Sequence, residues 1–293
     1  MTTGAVSSET ATTVERSSKW RTSLSLVPVI TIGILVVLVL IALLADLIAP
    51  YSPTEVALRN RLLGPLSPGH ILGTDQLGRD ILSRIIHGSR VSLAVVLVSI
   101  AVGGIVGATL GIIAAYFGRA VDTFIMRLAD VMLGFPLMIL AILFAAVFGP
   151  SFTNVVVILA LGMWAKFARI ARGETLSLKE KDFVSAARIA GASPAQIAWR
   201  HIVPHLLNSL LIMASLQAAW AVIVEAGLSF FGVGVPPPAP SWGGMISSGR
   251  EFVTTAWWVP FFPGVAITLL VLSLNLLGDW LRDELDPRLR QAQ

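Results

Sequence analysis

Four side chains able to ligate a divalent ion stand near one another in the chain: His70, Asp75, Asp80 and His87. Imidazole and carboxylate suit several such metals. The spacing argues against a site, because the histidines are 17 residues apart and no two of the four lie at i, i+4. The acids also have competing work, since Thr74 or Asp75 can cap a helix and Asp80 can pair with Arg84 at i, i+4. No metal is expected. Bond chemistry finds no support either. An enzyme needs a converging nucleophile, base and orienting group. The four histidines, His70, His87, His201 and His205, all fall in loops or at the ends of apolar runs, and there is no cysteine. No catalytic residue is assigned. The pattern G-x-x-x-x-G-K-[ST] is missing, as is any Gly-Lys pair, so this sequence has no loop to cradle nucleotide phosphates. Glu225 is different. It lies near the outer end of an apolar run, where an ionisable group is costly and usually faces the interior of a bundle. It either lines a path or fixes a gate, or it pairs with a helix terminus or a residue of another subunit.

The elements that would position these residues follow from composition. Of the 293 residues, 55% are hydrophobic and 13% charged, with a mean hydropathy of +0.82. An ordinary soluble domain carries roughly 25% charged residues. The apolar residues come in runs long enough to cross a hydrocarbon core of about 30 Å as helices. Six spans are predicted, at 26–49, 91–116, 121–148, 154–170, 206–231 and 260–280. Residues 1–25 form a disordered cytoplasmic tail, 50–90 an external loop with an amphipathic helix lying on the outer membrane surface, and 91–280 a core domain. Residues 281–293 form a second cytoplasmic tail. The first run is too long for the 7 to 15 apolar residues of a signal peptide, so it stays as an anchor. With both termini inside, 15 of the 21 Lys and Arg fall on the cytoplasmic side, as the positive-inside rule requires. Trp20 and Trp280 mark the inner boundary, and Trp257 and Trp258 the outer. The sequence pI near 10 reflects this topology, since no basic stripe with interleaved aromatics points to nucleic acid. The fold class is an all-α membrane protein.

Within the second span Gly103, Gly107, Gly111 and Ala115 recur every four residues and form a smooth stripe for close approach of another helix, with a substrate path lined by glycine backbone as the rival reading. Arg127 and Asp130, at i, i+3, are read as neutralising each other. Between spans four and five, residues 182–204 form a cytoplasmic hairpin. Phe183, Ala186, Ala187 and Ala190 recur at i, i+3, i+4 and i+7. Gly191 supplies a left-handed cap ahead of Ala192, Ser193 and Pro194 open a second helix, and Pro204 ends it. The hairpin either docks a protein or lies on lipid as an amphipathic element.

The hairpin resembles the coupling loop of ABC importer permeases, through Ala186, Ala187, Gly191 and Pro204; where that family has an acidic residue before the alanines, this chain has Ser185. Three segments narrow the resemblance to the C-type permeases of dipeptide, oligopeptide and nickel importers: HILGTDQLGRDILSRIIHGSRVSL from His70, EAGLSFFGVGVPPPAPSWGGMI from Glu225, and NLLGDWLRDELDPR from Asn275. In the last, Asp279, Arg282, Asp283 and Asp286 alternate in sign like a solvated helix end and are read as capping it or packing on the cytoplasmic hairpin, and Ser241 to Gly244 in the second is read as a turn. The resemblance implies a type I importer permease fold and a bacterial inner-membrane location. It implies a heterodimer with a B-type permease, two cytoplasmic ATPases that bind ATP and Mg, and an external binding protein. It assigns Phe183, Ala186, Ala187, Gly191, Ala192 and Pro204 to ATPase coupling and peptides as the solute, with nickel, glutathione or a similar solute as alternatives. On this reading Glu225 could meet the amino end of a peptide. An ion-coupled secondary transporter is the rival class, and it would need more intramembrane ionisable groups and broken helices than the sequence displays.

Overall fold

The computed structural model describes residues 26–285, and these are mostly helical with no strand among them. Helix α1 is Leu26–Leu43 and is followed by a short α2, Ala45–Ile48. The remaining long helices are α3, Ile81–Phe117; α4, Arg119–Gly134; α5, Leu137–Phe148; α6, Phe152–Leu178; α9, Val203–Phe230; and α11, Trp258–Leu285. Short helices α7, Asp182–Ile189, and α8, Pro194–Ile197, form the hairpin between α6 and α9, and α10, Trp242–Gly249, lies between α9 and α11. Five helical stretches are long and apolar enough to cross a membrane, and six crossings result if α4 and α5 count as one. The two tails, with Trp20, Asp286, Arg288 and Arg290, lie outside the described residues.

Helix α3 corrects the expected surface helix. Its 37 residues rise about 55 Å, so it crosses a core of about 30 Å and stands well clear of it. The segment read as lying flat on the membrane is its first turns. Ile81 is buried against Met245, Ala256 and Val259, and that packing holds the helix upright. Asp80 is its cap, accepting from the Ser83 N–H at 2.8 Å, in place of Thr74 or Asp75. The Asp80–Arg84 pair is absent: Asp80 meets His70 at 3.0 Å, and Arg84 meets Asp75 at 3.4 Å.

The third span is broken. Helices α4 and α5 meet at 89°, where Pro136 removes a backbone donor and pushes Phe135 into extended backbone (φ −87°, ψ 130°). Rising about 24 Å and 18 Å, neither piece crosses a core of about 30 Å alone.

The core sits where α3, α6 and α9 meet. Val95 and Val96 of α3, Ile158, Leu159, Met163 and Phe167 of α6, and Ala221 and Val222 of α9 are buried together, with Trp242 and Leu270 closing the cluster. The glycine stripe makes the closest contact. A β-carbon on Gly107 would lie 2.3 Å from the Trp164 carbonyl oxygen, and one on Gly111 2.3 Å from that of Ala168; Gly103 has 3.0 Å to the Ala160 oxygen. Only hydrogen side chains allow the backbones this near. Helix α1 packs Leu35 and Leu38 on the core and is tied at its outer end, where Arg90 of α3 donates to the Ala42 and Leu43 carbonyls and meets Asp46 at 2.8 Å.

Candidate functional site

The hairpin of α7 and α8 is built by local rules that the sequence displays. Helix α7 ends at Gly191, whose φ of +83° is open to glycine at no steric cost. The Gly191 and Ala192 N–H groups return to the Arg188 and Ala187 carbonyls at 3.1 Å, closing the helix end as a Schellman motif does. Ser193 caps α8, its hydroxyl accepting from the Gln196 N–H, with Pro194 in the first turn. Pro204 is where expectation fails. The chain runs on through one π-helical turn, Ala198–Ile202, into α9, and Pro204 sits in the first turn of that helix. The π-helical turn absorbs the missing donor, since the Val203 N–H reaches back five residues to the Ala198 carbonyl.

The hairpin has two faces. Val184 is fully buried with Ile197, Ile202 and Leu206, together with Ala171 of α6, and Ala187 and Ala192 pack against them. Phe183 stacks on His205 of α9 at 5.1 Å. The other face is open: Ala186, Ala190 and Gly191 are exposed and Ile189 is 88% exposed, while Trp199, 73% exposed, lines an apolar groove with Ile112 and Tyr116 of α3. The expected face of Phe183, Ala186, Ala187 and Ala190 is therefore split, with Ala187 inward. The sequence reading missed Ile189 and Trp199, although a large apolar residue beside a helix cap was a visible signal. The inward face joins the hairpin to α6 and α9 as one packed unit, so a push on it reaches two spans.

On the outer side, His70, Asp75, Asp80 and His87 are separated by their bonds. His70 pairs with Asp80. Asp75 accepts from the Leu77 and Arg79 N–H groups and from Arg79 Nε at 2.7 Å. His87 lies 2.9 Å from the Ser83 carbonyl and 3.3 Å from Asp46. No group of three His, Cys, Asp or Glu converges among the described residues. Trp258 donates from Nε1 to the Thr74 carbonyl and pins this loop to α11. The segment read as a turn at Ser241 opens α10, whose Trp242 is 1% exposed and donates to the Ile85 carbonyl at 2.9 Å.

Glu225 is 1% exposed, and its Oε1 accepts from the Ser229 hydroxyl at 2.9 Å. Gly243 of α10 packs on the same stretch of α9, where an added β-carbon would fall 2.6 Å from Ala226 Cα and 2.8 Å from Ser229 Cβ. The carboxyl is thus enclosed within the chain. In the inner part of the bundle Asp130 pairs with Arg169 of α6, correcting the expected Arg127–Asp130 pair, and Asp122 pairs with Arg172.

Long apolar helices with a two-helix hairpin between α6 and α9 define a multi-pass membrane protein. The chain matches, over residues 107–291, the family described as binding-protein-dependent transport system inner membrane component. Residues 28–65 match the N-terminal transmembrane domain of oligopeptide transport permease C. It is 43% identical over 258 residues to a putative peptide transport system permease protein of Brucella suis, covering 87% of this chain and 86% of the relative. It is 39% identical over 273 residues to the nickel transport system permease protein of Escherichia coli K12, covering 93% and 96%. The fold matches that of an inward-facing methionine ABC transporter with a TM-score of 0.55 at 20% identity, covering 68% of this chain and 94% of the other. The chain belongs to the C-type permeases of the peptide and nickel ABC importers. It is an importer permease, and the secondary-transporter reading falls.

Proposed function

We propose that this chain forms half of a translocation path for peptides, paired with a B-type permease in a heterodimer. On this reading two cytoplasmic ATPases bind ATP and Mg and dock on the hairpin, an external binding protein delivers the solute, and both termini are cytoplasmic. The observation that carries the coupling role is the division of the hairpin: Val184 locks it to α6 and α9 while Ile189, Ala186 and Ala190 stay open. An exposed apolar face on a rigid support marks an interaction site. Closure of the ATPases would move the hairpin, and through the packed cluster the two spans, without an intervening flexible link. Supply of the reaction rests with the ATPases, and this chain performs no bond chemistry. Glu225, enclosed against Ser229, fixes the seat of α10 on α9 in place of lining the path. Peptide is the solute because the family that the chain resembles is chiefly peptide-transporting and a peptide permease is among the relatives. ATP-dependent uptake of dialanine into proteoliposomes holding the whole importer tests this. Uptake that needs both the ATPases and the binding protein is expected; uptake of nickel but not dialanine would replace the solute.

A further inference from the structure

The broken third span leaves a polar face that lipid would not tolerate. Gly134, Phe135 and Pro136, at the break, are exposed on the isolated chain, and non-helical backbone at membrane depth persists only where protein covers it or water reaches it. The adjoining face of α6 carries charge. Asp130 and Arg169 are paired with side chains 54% and 51% exposed, and below them Asp122 meets Arg172. These residues line a cleft of about 440 Å³. One turn toward the break stands Lys166, about 21 Å along α6 from its outer end, inside a hydrocarbon core of about 30 Å. Leu137, the first residue of α5, packs on Gly162 of α6 beside Trp220, which brings the break to within a turn of Lys166.

Lys166 differs from the two arginines. No carboxylate of the described residues lies within ion-pair reach of it. Its ammonium is braced by Gln217 Oε1 at 3.2 Å and by the ring of Trp220, 4.5 Å from the centroid, both on α9. Gln217 is 4% exposed, and its Nε2 is buried with no partner. A buried amide donor without an acceptor costs roughly 1–3 kcal/mol, and an intramembrane cation without a counter-charge costs at least a comparable amount. Two unspent donors, side by side on α6 and α9, call for one anionic acceptor. A carboxylate has two oxygens for them and binds ammonium more strongly than a neutral acceptor would.

We propose that Lys166 and Gln217, steadied by Trp220, form a recognition point for the carboxylate of the passing solute, on the face where the broken span meets the path. This rests on the peptide reading, which supplies a solute ending in a carboxylate. The chain has no cysteine, so Lys166→Cys gives one addressable thiol on it. The whole importer, its other subunits made cysteine-free, is placed in proteoliposomes with dialanine or dialanine amide as solute. Lys166→Cys should lower dialanine uptake about tenfold or more. Aminoethyl methanethiosulfonate, which restores a cation, should return most of it, and a neutral methyl reagent should not. Amide uptake should differ by less than about twofold across the three forms. Gln217→Leu, which keeps the lysine, should also lower the preference for acid over amide. An equal loss for acid and amide would place an acidic residue of the partner subunit on Lys166 and overturn the proposal, as would full dialanine uptake by Lys166→Cys. A wild-type importer that carries neither solute would overturn the peptide reading together with this assignment.

Discussion

The seam between α3 and α6 and the α7–α8 hairpin are both built from glycine and alanine, and they use the small side chain in opposite ways. In the seam, the missing side chain lets two backbones touch: Gly107 and Gly111 leave no space for even a β-carbon. In the hairpin, Ala186, Ala190 and Gly191 face outward, and a β-carbon on Gly191 would meet nothing within 4 Å. The same residue types thus mark a contact already made in one place and an exposed surface in the other. Sequence spacing alone does not separate them, because a four-residue stripe and a helical face are both compatible with either use.

Substitutions sharpen that contrast, and the seam should show the largest effect. Gly107→Leu should prevent accumulation of folded chain in the membrane, since its obstacle is backbone that cannot rotate away; overpacking of this kind costs about 3 kcal/mol or more. Membrane yield and detergent gel filtration read it, and a stable Gly107→Leu protein would mean the helices are not held so close. On the hairpin, Ala186→Arg should leave the melting temperature within a degree or two while lowering ATPase co-purification at least tenfold. Gly191→Val falls between the two, because valine at φ +83° strains the cap by roughly 1–3 kcal/mol. It should uncouple ATP turnover from uptake while the chain still assembles in the membrane. The smallest effects belong to the outer side. Trp242→Phe loses the bond to the Ile85 carbonyl and should cost about 1 kcal/mol. Glu225→Gln keeps an oxygen for Ser229 and should leave dialanine uptake within about twofold. A larger loss there would return Glu225 to the path.

Much of this architecture was legible. Run length gave the helices, and the Gly191, Ser193 and Pro194 order gave the hairpin with its cap, because helix ends obey rules local to a few residues. The failures lie where packing between distant segments decides. Nothing near Ile81 announces Met245 and Val259, so an upright helix read as one lying on the membrane. Pro136 was visible in the third span, yet an apolar run on both sides hid a bend of 89°. Asp130 had a nearer candidate in Arg127 than in Arg169, 39 residues away. Lys166 was counted as topology, since its partners Gln217 and Trp220 come from another span. Pro204 misled for a related reason: a π-helical turn ahead of it absorbed the break that a proline would otherwise impose.

Cross-linking from the open face of the hairpin tests the coupling claim most directly. With no native cysteine in the chain, Ile189→Cys, at the 88%-exposed position, can be joined by a short thiol-to-amine linker to co-expressed ATPases, with the buried Val184→Cys as control. The account predicts that Ile189→Cys captures an ATPase in the assembled importer, that the yield changes when ATP is added, and that Val184→Cys captures none. Capture of lipid alone at Ile189→Cys, with no ATPase recovered in either nucleotide state, would contradict it.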